Sequence, residues 1–141
     1  MGSAVIDNTV FSKSLKDEEK CGSIYYMSGI QDITKKILHF RDTRNWKQFN
    51  NSKDMALSLS LEASEVLEHF QWKTNSEIEA YTTNKKTEIG KELADVLYWT
   101  LLMAHDLNID IEKVFNKKMK ENALKYPISK SKSSKAKYTQ L

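Results

Sequence analysis

The sequence predicts an all-α fold, a four-helix bundle, on two observations. The chain contains four glycines and one proline, so about a hundred residues run without a strong helix breaker. Apolar residues also recur at helical spacing in four separate segments, which short links would join into a bundle. A chain of 141 residues with 40% hydrophobic and 29% charged residues fits one domain with a core and has no room for a second.

The two ends of the chain are predicted to lie outside this domain. Residues 1–28 mix Ser, Asp, Lys and Gly with scattered apolar residues and show no sustained period, which predicts a disordered or mobile N-terminal extension. We expect the helical domain over 29–127. Residues 128–141 are rich in Lys and Ser and are predicted to form a basic C-terminal tail.

The first two helices are predicted from the apolar pattern and from the polar residues between them. Spacing of the apolar residues predicts one amphipathic helix from Ile30 to about Gln48. Asn51 or Ser52 then offers a cap to a second helix over about 53–72, and Asp54 suits its positive end. This second helix is apolar on more than one side, which predicts burial by several neighbours.

The second half of the chain is predicted to contain a connector and two further helices. Residues 73–84 are polar and are expected to be a connector with at most a short helical turn. A third helix is predicted over about 85–106, ended by Asn108. Asp110 is expected to cap a fourth helix over 111–124, which stops before Pro127.

Composition also limits which classes of partner and which cellular compartment we expect for this protein. A single cysteine, Cys21, excludes an intramolecular disulfide and suits a reducing compartment, so we expect a cytoplasmic protein. No apolar run reaches the ~20 residues of a membrane span, and no membrane association is expected. The net charge of +3 is mild and leans on the Lys/Ser tail, which does not argue for a nucleic-acid partner.

Four carboxylates stand inside apolar helical runs. Glu62 and Glu65 lie three residues apart in the second helix, and Glu92 and Asp95 lie three apart in the third, so each pair shares a helix face. If the two helices pack as an antiparallel hairpin, four acidic groups meet in an apolar layer, where unpaired carboxylates are costly. Oxygen-only ligands suit a hard cation such as Mg²⁺. A metal site is therefore predicted.

Two alternatives bear on that metal site. A single E-x-x-E is common on solvated faces of charged helices. The metal interpretation is favoured because a second such pair is present and both pairs stand within apolar runs. A di-iron bundle would in addition require Glu-x-x-His on its helices. The chain offers Glu65 and His69 four residues apart, and nothing equivalent in the third helix.

Three tryptophans lie near the ends of these segments. Trp46 falls near the end of the first helix and Trp72 at the end of the second. Trp99 follows Asp95 by four residues, so its ring projects beside the predicted metal site, where it could stack on a nucleobase. Its alternative role as a core tryptophan is equally compatible with the spacing.

The two motifs E-x-x-E, Glu62 to Glu65, and E-x-x-D, Glu92 to Asp95, resemble the metal motif of the MazG-like all-α nucleotide pyrophosphohydrolases. The strings FRDTRNWKQF at 40–49, LSLEASEVLEHFQW at 59–72, ELADVLYW at 92–99 and KMKENALKYP at 118–127, together with the terminal KYTQL, resemble the branch of dCTP pyrophosphatases. The resemblance covers roughly residues 30–141. It departs at Trp99, which is Tyr in some relatives, and at Ile37, where some dCTP-cleaving members have His. Both departures touch the base pocket.

The resemblance implies roles for particular residues. Mg²⁺ is the implied cofactor, and its implied ligands are Glu62, Glu65, Glu92 and Asp95. Positions that contact the nucleotide would be Trp46, Lys47, Gln48, Phe49, Asn50, Trp72 and Trp99. Asn122, Lys125 and Tyr126 follow on the fourth helix, where they could meet phosphates or form a solvated basic face. A homodimer or homotetramer with shared active sites is also implied.

The expected function is Mg²⁺-dependent cleavage of dCTP, or of a related or modified nucleotide, to the monophosphate and pyrophosphate, as nucleotide-pool house-cleaning. Water would attack the α-phosphorus, and Glu62 or Glu65 would activate it. Two alternatives stay open. One is a dUTP-cleaving all-α pyrophosphatase, and the other is a non-catalytic helical module that binds metal.

Overall fold

A computed structural model describes residues 29–140, and the extension predicted over 1–28 lies outside them. Its α-helices are α1 (Ile30–Asp42), α2 (Ser52–Glu68), α3 (Asn75–Asn84), α4 (Lys86–Asp106), α5 (Ile111–Lys125) and α6 (Ile128–Ser131). Two short 3₁₀-helices span Trp46–Phe49 and Tyr138–Gln140, and residues 29–140 contain no strand. The all-α prediction is confirmed over this range.

Polar side chains start the helices where the sequence predicts caps. The Asn51 side chain accepts a hydrogen bond from the Asp54 amide at 3.0 Å and begins α2. Asp110 does the same for α5, accepting from the Lys113 amide at 2.9 Å. Asn108 takes a left-handed conformation with φ 54° and ends the preceding run. Because the side chains of Asn51 and Asp110 each satisfy an otherwise free amide, and the turn at Asn108 is made by its own backbone, these boundaries are set locally.

The core lies where α1, α2 and α4 meet. Its buried apolar residues are Ile37, Met55, Leu101 and Leu102. The most extensive helix pair is α2 with α4, α1 packs on the second half of α4, and α3 touches α4. By contrast, α5 has no buried side chain. The four-helix bundle therefore stays a prediction, since three of the helices enclose this core.

Arg41 is the buried charge of this fold, with 2% of its surface exposed. Its guanidinium donates to both carboxylate oxygens of Asp106, at 2.8 and 2.9 Å, and to Asp42 at 2.7 Å. Both bonds to Asp106 come from Nη1 of Arg41, and this charge-assisted pair joins the ends of α1 and α4.

Three of the predicted boundaries were wrong. The connector 73–84 is largely helix α3, because Thr74 and Glu77 form a reciprocal capping box at its start. The first helix ends at Asp42 rather than near Gln48, since Asn45 takes a left-handed conformation with φ 53° before the 3₁₀-helix. The second ends at Glu68, and residues 69–72 form turns.

The tail contains local structure that its composition did not predict. Pro127 precedes the single turn of α6, and the Ser131 hydroxyl donates to the Pro127 carbonyl at 2.9 Å. In the range 29–140, none of the helices has both the length and the apolar character required to cross a membrane.

Candidate metal and nucleotide site

The packing of α2 against α4 brings three of the predicted carboxylates together. Glu62, Glu65 and Glu92 each offer an oxygen, and these oxygens all lie within 4.8 Å of one another. The two helices run antiparallel here, because Glu65 meets Glu92 while Glu62 meets Trp99. Asp95 lies outside this group of three, although its charge still acts on Glu65.

The pKa of Glu65 is raised by its surroundings. Desolvation of its carboxyl group, and then the charge of Glu92 and a hydrogen bond with it, raise the pKa of Glu65 above its usual value. Glu68 and Asp95 act in the same direction. A cluster of carboxylates whose repulsion favours protonation is a place where a cation would be stabilised.

The carboxylates are less buried than the sequence predicts. Glu65 and Asp95 are exposed, and Glu62 and Glu92 are half-buried. The expectation of an enclosed apolar layer was wrong for the single chain, because apolar side chains that flank these residues on α2 and α4 are themselves open to solvent. They include Leu57, Leu61, Leu93 and Leu97.

Trp99 contacts the carboxylate group directly. Its indole Nε1 donates a hydrogen bond to Oε1 of Glu62 at 3.3 Å. The ring is half-buried and packs against the core cluster, and it meets Tyr98 edge to face with the ring centroids 5.2 Å apart. Spacing along α4 predicted the ring beside the carboxylates, but not its hydrogen bond.

A row of aromatic rings continues from Trp99 to the 3₁₀-helix. Tyr98 meets Phe40 edge to face at 6.3 Å, and Phe40 meets Trp46 at 5.8 Å. The guanidinium of Arg44 lies 3.7 Å above the Phe40 ring. Phe40 and Tyr98 were absent from the predicted site. Only the tertiary packing of α1 on α4 shows that they link Trp46 to it.

The segment 46–50 presents polar groups at the end of this aromatic row. Gln48 is engaged locally, since its Nε2 donates to the Asn45 carbonyl at 2.9 Å. Asn50 differs, because its Oδ1 is buried and has no hydrogen-bond partner among residues 29–140. Lys47 and Phe49 are exposed. A buried acceptor without a donor is rare and is costly unless a ligand satisfies it.

The remaining predicted contacts lie apart from the carboxylate group. Trp72 follows α2 in a turn and is 86% exposed. Near the end of α5, the rings of Tyr126 and Tyr138 meet at 5.8 Å, and Lys125 Nζ lies 5.5 Å from the Tyr138 ring. Asn122 is half-buried on the same helix. These contacts join α5 to the tail rather than to the carboxylates.

Two surface grooves lie elsewhere. They have volumes of about 510 and 340 Å³ and lie around the start of α5, where both are lined by Gln31, Asp110 and Glu112. Neither borders Glu62, Glu65 or Glu92. The carboxylate group is therefore identified as the candidate site by its chemistry and not by a groove.

Comparison with known proteins gives a consistent result. Residues 57–141 match the MazG-like family. The chain is 32% identical over 114 residues to dCTP pyrophosphatase 1 of Rattus norvegicus and of Homo sapiens, an alignment that covers 79% of this chain and 67% of each relative. The crystal structure of a pyrophosphatase from Archaeoglobus fulgidus DSM 4304 superposes with a TM-score of 0.66 at 31% identity, covering 74% of this chain and 99% of that one.

Proposed function

This chain belongs to the MazG-like family and is a nucleotide pyrophosphohydrolase, and from that premise we propose that it cleaves dCTP to the monophosphate and pyrophosphate with Mg²⁺. The observation that carries the proposal is the meeting of Glu62, Glu65 and Glu92 within 4.8 Å on two packed helices. The relatives named dCTP pyrophosphatase 1 support the choice of nucleotide.

The donor set fits Mg²⁺. Carboxylate oxygens are hard ligands, and Mg²⁺ takes a few of them together with waters and substrate phosphates. The ligands in this proposal are Glu62, Glu65 and Glu92, with Asp95 completing the set from the next turn of α4. Desolvation, and after it the charge of Glu92, raises the pKa of Glu65, and a bound cation would stabilise the ionised carboxylate against both effects. When bound by these residues, Mg²⁺ would supply positive charge to the triphosphate and would make the attacking water more acidic.

The chain's own residues orient the reaction. A carboxylate of Glu62 or Glu65 accepts a proton from the attacking water as its oxygen bonds to the α-phosphorus. The bond from that phosphorus to the bridging oxygen breaks, and pyrophosphate leaves with the electron pair. Positioning and charge stabilisation supply most of the rate in phosphoryl transfer generally, so the rigid pairing of α2 with α4 is the main contribution of the fold.

The base is assigned to Trp46, at the exposed end of the aromatic row, and to the segment 46–50. Trp46 is partly exposed and offers its ring, and Trp72 offers a second ring whose place in the site depends on a neighbouring surface. Stacking tolerates any base, so discrimination falls to polar groups. The buried Oδ1 of Asn50 can accept from an exocyclic amino group, which cytosine has and uracil lacks. This favours dCTP over the alternative substrate dUTP.

Phosphate contacts are assigned to the end of α5. Lys125 carries the charge, while Asn122 and Tyr126 offer hydrogen bonds. Lys125 and Tyr126 contact Tyr138 of the tail instead, so the assignment requires the end of α5, from the same or a second subunit, to approach the carboxylates.

A homodimer or homotetramer belongs to the same proposal. Large apolar side chains are exposed on three helices, namely Leu57, Leu61, Leu67, Leu93, Leu97, Val114, Phe115 and Met119. Exposed apolar side chains in this number indicate a protein interface. A second copy that covered α2 and α4 would also enclose Glu62 and Glu92, which one chain leaves half-exposed.

Pyrophosphate release from a panel of triphosphates tests this function. The panel contains dCTP, dUTP, dTTP, dATP, dGTP and CTP, each with and without Mg²⁺, with product identity checked by chromatography. We expect the highest kcat/KM with dCTP and none without a divalent cation. Preference for dUTP would establish the alternative all-α branch. Absence of release with every nucleotide would contradict the enzyme and favour a helical module that binds metal without catalysis.

A further inference from the structure

We propose that Trp99 is a positioning residue for Glu62 and does not stack on the nucleobase. The inference rests on the proposed function, because it gives Trp99 a role through a carboxylate that holds the cation. Its basis is the hydrogen bond from the indole Nε1 to Glu62 Oε1 at 3.3 Å, which joins α4 to α2 beside the cluster.

The ring of Trp99 packs against other side chains of the protein. It packs against the core cluster of Ile37, Met55, Leu101 and Leu102, and the Tyr98 ring meets it edge to face. A base stacking on Trp99 would have to displace part of that packing. Trp46 and Trp72 are more open, being 46% and 86% exposed, and do not carry this cost.

The hydrogen bond gives Glu62 one orientation. An indole N–H only donates, so it recognises the carboxylate and does not compete for the cation. Oε1 accepts from Trp99, and the same carboxylate offers an oxygen within 4.8 Å of oxygens of Glu65 and Glu92. Partners that orient metal ligands in this way usually contribute to affinity for the metal rather than to binding of the organic part of the substrate.

The two roles of Trp99 predict different losses for Trp99→Phe, which keeps an aromatic ring and removes the N–H. If Trp99 positions Glu62, this substitution would weaken binding of the cation in the absence of nucleotide. If Trp99 stacks on the base, the substitution would leave the affinity for the cation unchanged. It would weaken nucleotide binding only slightly, because Phe also stacks.

Mn²⁺ binding measured by electron paramagnetic resonance, with the full chain and no nucleotide, separates these roles. We expect Trp99→Phe to raise the Kd for Mn²⁺ about tenfold. Tyr98→Phe is the matched control, since it alters the neighbouring ring of the same row and leaves the indole N–H in place. Its Kd should equal that of the wild type.

A double-mutant cycle tests whether Trp99 acts through Glu62. In a Glu62→Gln background, Trp99→Phe should cause no further loss of Mn²⁺ affinity, because residues that act through one contact are not additive. The indole N–H resonance of Trp99, identified by its absence in Trp99→Phe, should shift when Mg²⁺ is added to the wild type. It should not shift on the same addition to Glu62→Gln.

Equal Mn²⁺ affinity in wild type and Trp99→Phe would overturn the inference, as would additive losses in the cycle. If Trp99→Phe does not fold, the indole N–H resonance of Trp99 is assigned in the wild type as the one that remains in both Trp46→Phe and Trp72→Phe. The inference would then be overturned if this resonance did not shift on addition of Mg²⁺. If the wild type binds Mn²⁺ and releases pyrophosphate but the Trp99 resonance does not shift with Mg²⁺, the positioning role alone is refuted. A wild type that does neither refutes the proposed function as well.

Discussion

The guanidinium of Arg41 holds both carboxylate oxygens of Asp106, at 2.8 and 2.9 Å, and thereby joins the end of α1 to the end of α4. Arg41 is 2% exposed. Replacing it by Met removes one partner of a buried pair, and we expect the free energy of unfolding to fall by about 3 kcal/mol, measured by urea denaturation followed by circular dichroism. Arg44→Met is the control, because Arg44 is an exposed cation above Phe40. Recovery of stability in Arg41→Met/Asp106→Leu would confirm the cause.

The same ion pair predicts a dependence of stability on pH. Burial alone would raise the pKa of Asp106, but hydrogen bonds from His105 and Arg41 outweigh it and lower that pKa. A lowered folded-state pKa stabilises the protein above the unfolded value, about 3.9, and this stabilisation disappears as the pH falls through the lower folded value. The stability difference between wild type and Asp106→Asn should therefore be constant above about pH 5 and shrink toward lower pH. A constant difference down to acid would exclude the linkage.

Neutralising a carboxylate of the cluster should abolish activity and leave the fold intact. Glu65→Gln keeps the side-chain shape and removes a charge that Glu92 repels. We expect pyrophosphate release to fall at least about a hundredfold, given the share of charge stabilisation in such reactions, and the thermal midpoint of the metal-free protein to rise slightly. Asp95→Asn should behave similarly. Glu68→Gln, one turn further along α2 and outside the group of three, is the matched control. Full activity of Glu65→Gln would remove the metal assignment.

Asn50 is expected to set the choice of base. Its buried Oδ1 lacks a hydrogen-bond donor among residues 29–140, and Asn50→Leu would remove the acceptor while keeping the volume similar. The ratio of kcat/KM for dCTP to that for dUTP should fall about tenfold, equivalent to about 1.4 kcal/mol. The neighbouring amide of Gln48 is engaged with the Asn45 carbonyl, so Gln48→Leu should change the ratio less. Equal ratios in wild type and Asn50→Leu would exclude this role.

Dilution should lower specific activity if subunits share the site. A dimer that completes the active site dissociates at low concentration, and activity follows it. Leu61 is 63% exposed on α2 beside Glu62, so Leu61→Lys should weaken association, as measured by sedimentation velocity. Ser60→Lys adds the same charge at the preceding exposed position and is the control. A monomer with undiminished specific activity would contradict the shared site.

The cap residues show what the sequence predicts well. Asn51, Asp110 and Asn108 act within four residues of their own position, so their chemistry is visible without knowledge of the fold. The capping box of Thr74 and Glu77 is equally local. The polar composition of 73–84 masks this box, which is the signal in the sequence that identifies α3.

The site shows where such prediction stops. Helical spacing placed Glu62 with Glu65 and Glu92 with Asp95, and an antiparallel hairpin was enough to bring the pairs together. The packing of α1 on α4 depends on side chains distant in sequence, so the aromatic row from Trp46 to Trp99 could not be predicted. Nor could the hydrogen bond that diverts Trp99 toward Glu62.

Helix α5 has no buried side chain, although Val114, Phe115 and Met119 form an apolar stripe along it. Fifteen residues are close to the length at which an isolated helix is only marginally stable in water. Ile111 is the residue of this helix that packs against the core cluster. If a second copy covers the stripe, as proposed above, formation of the helix and association of the protein become a single coupled equilibrium. Amide hydrogens of α5 would then exchange at a rate that depends on protein concentration, whereas those of α4, which lines the core, would not.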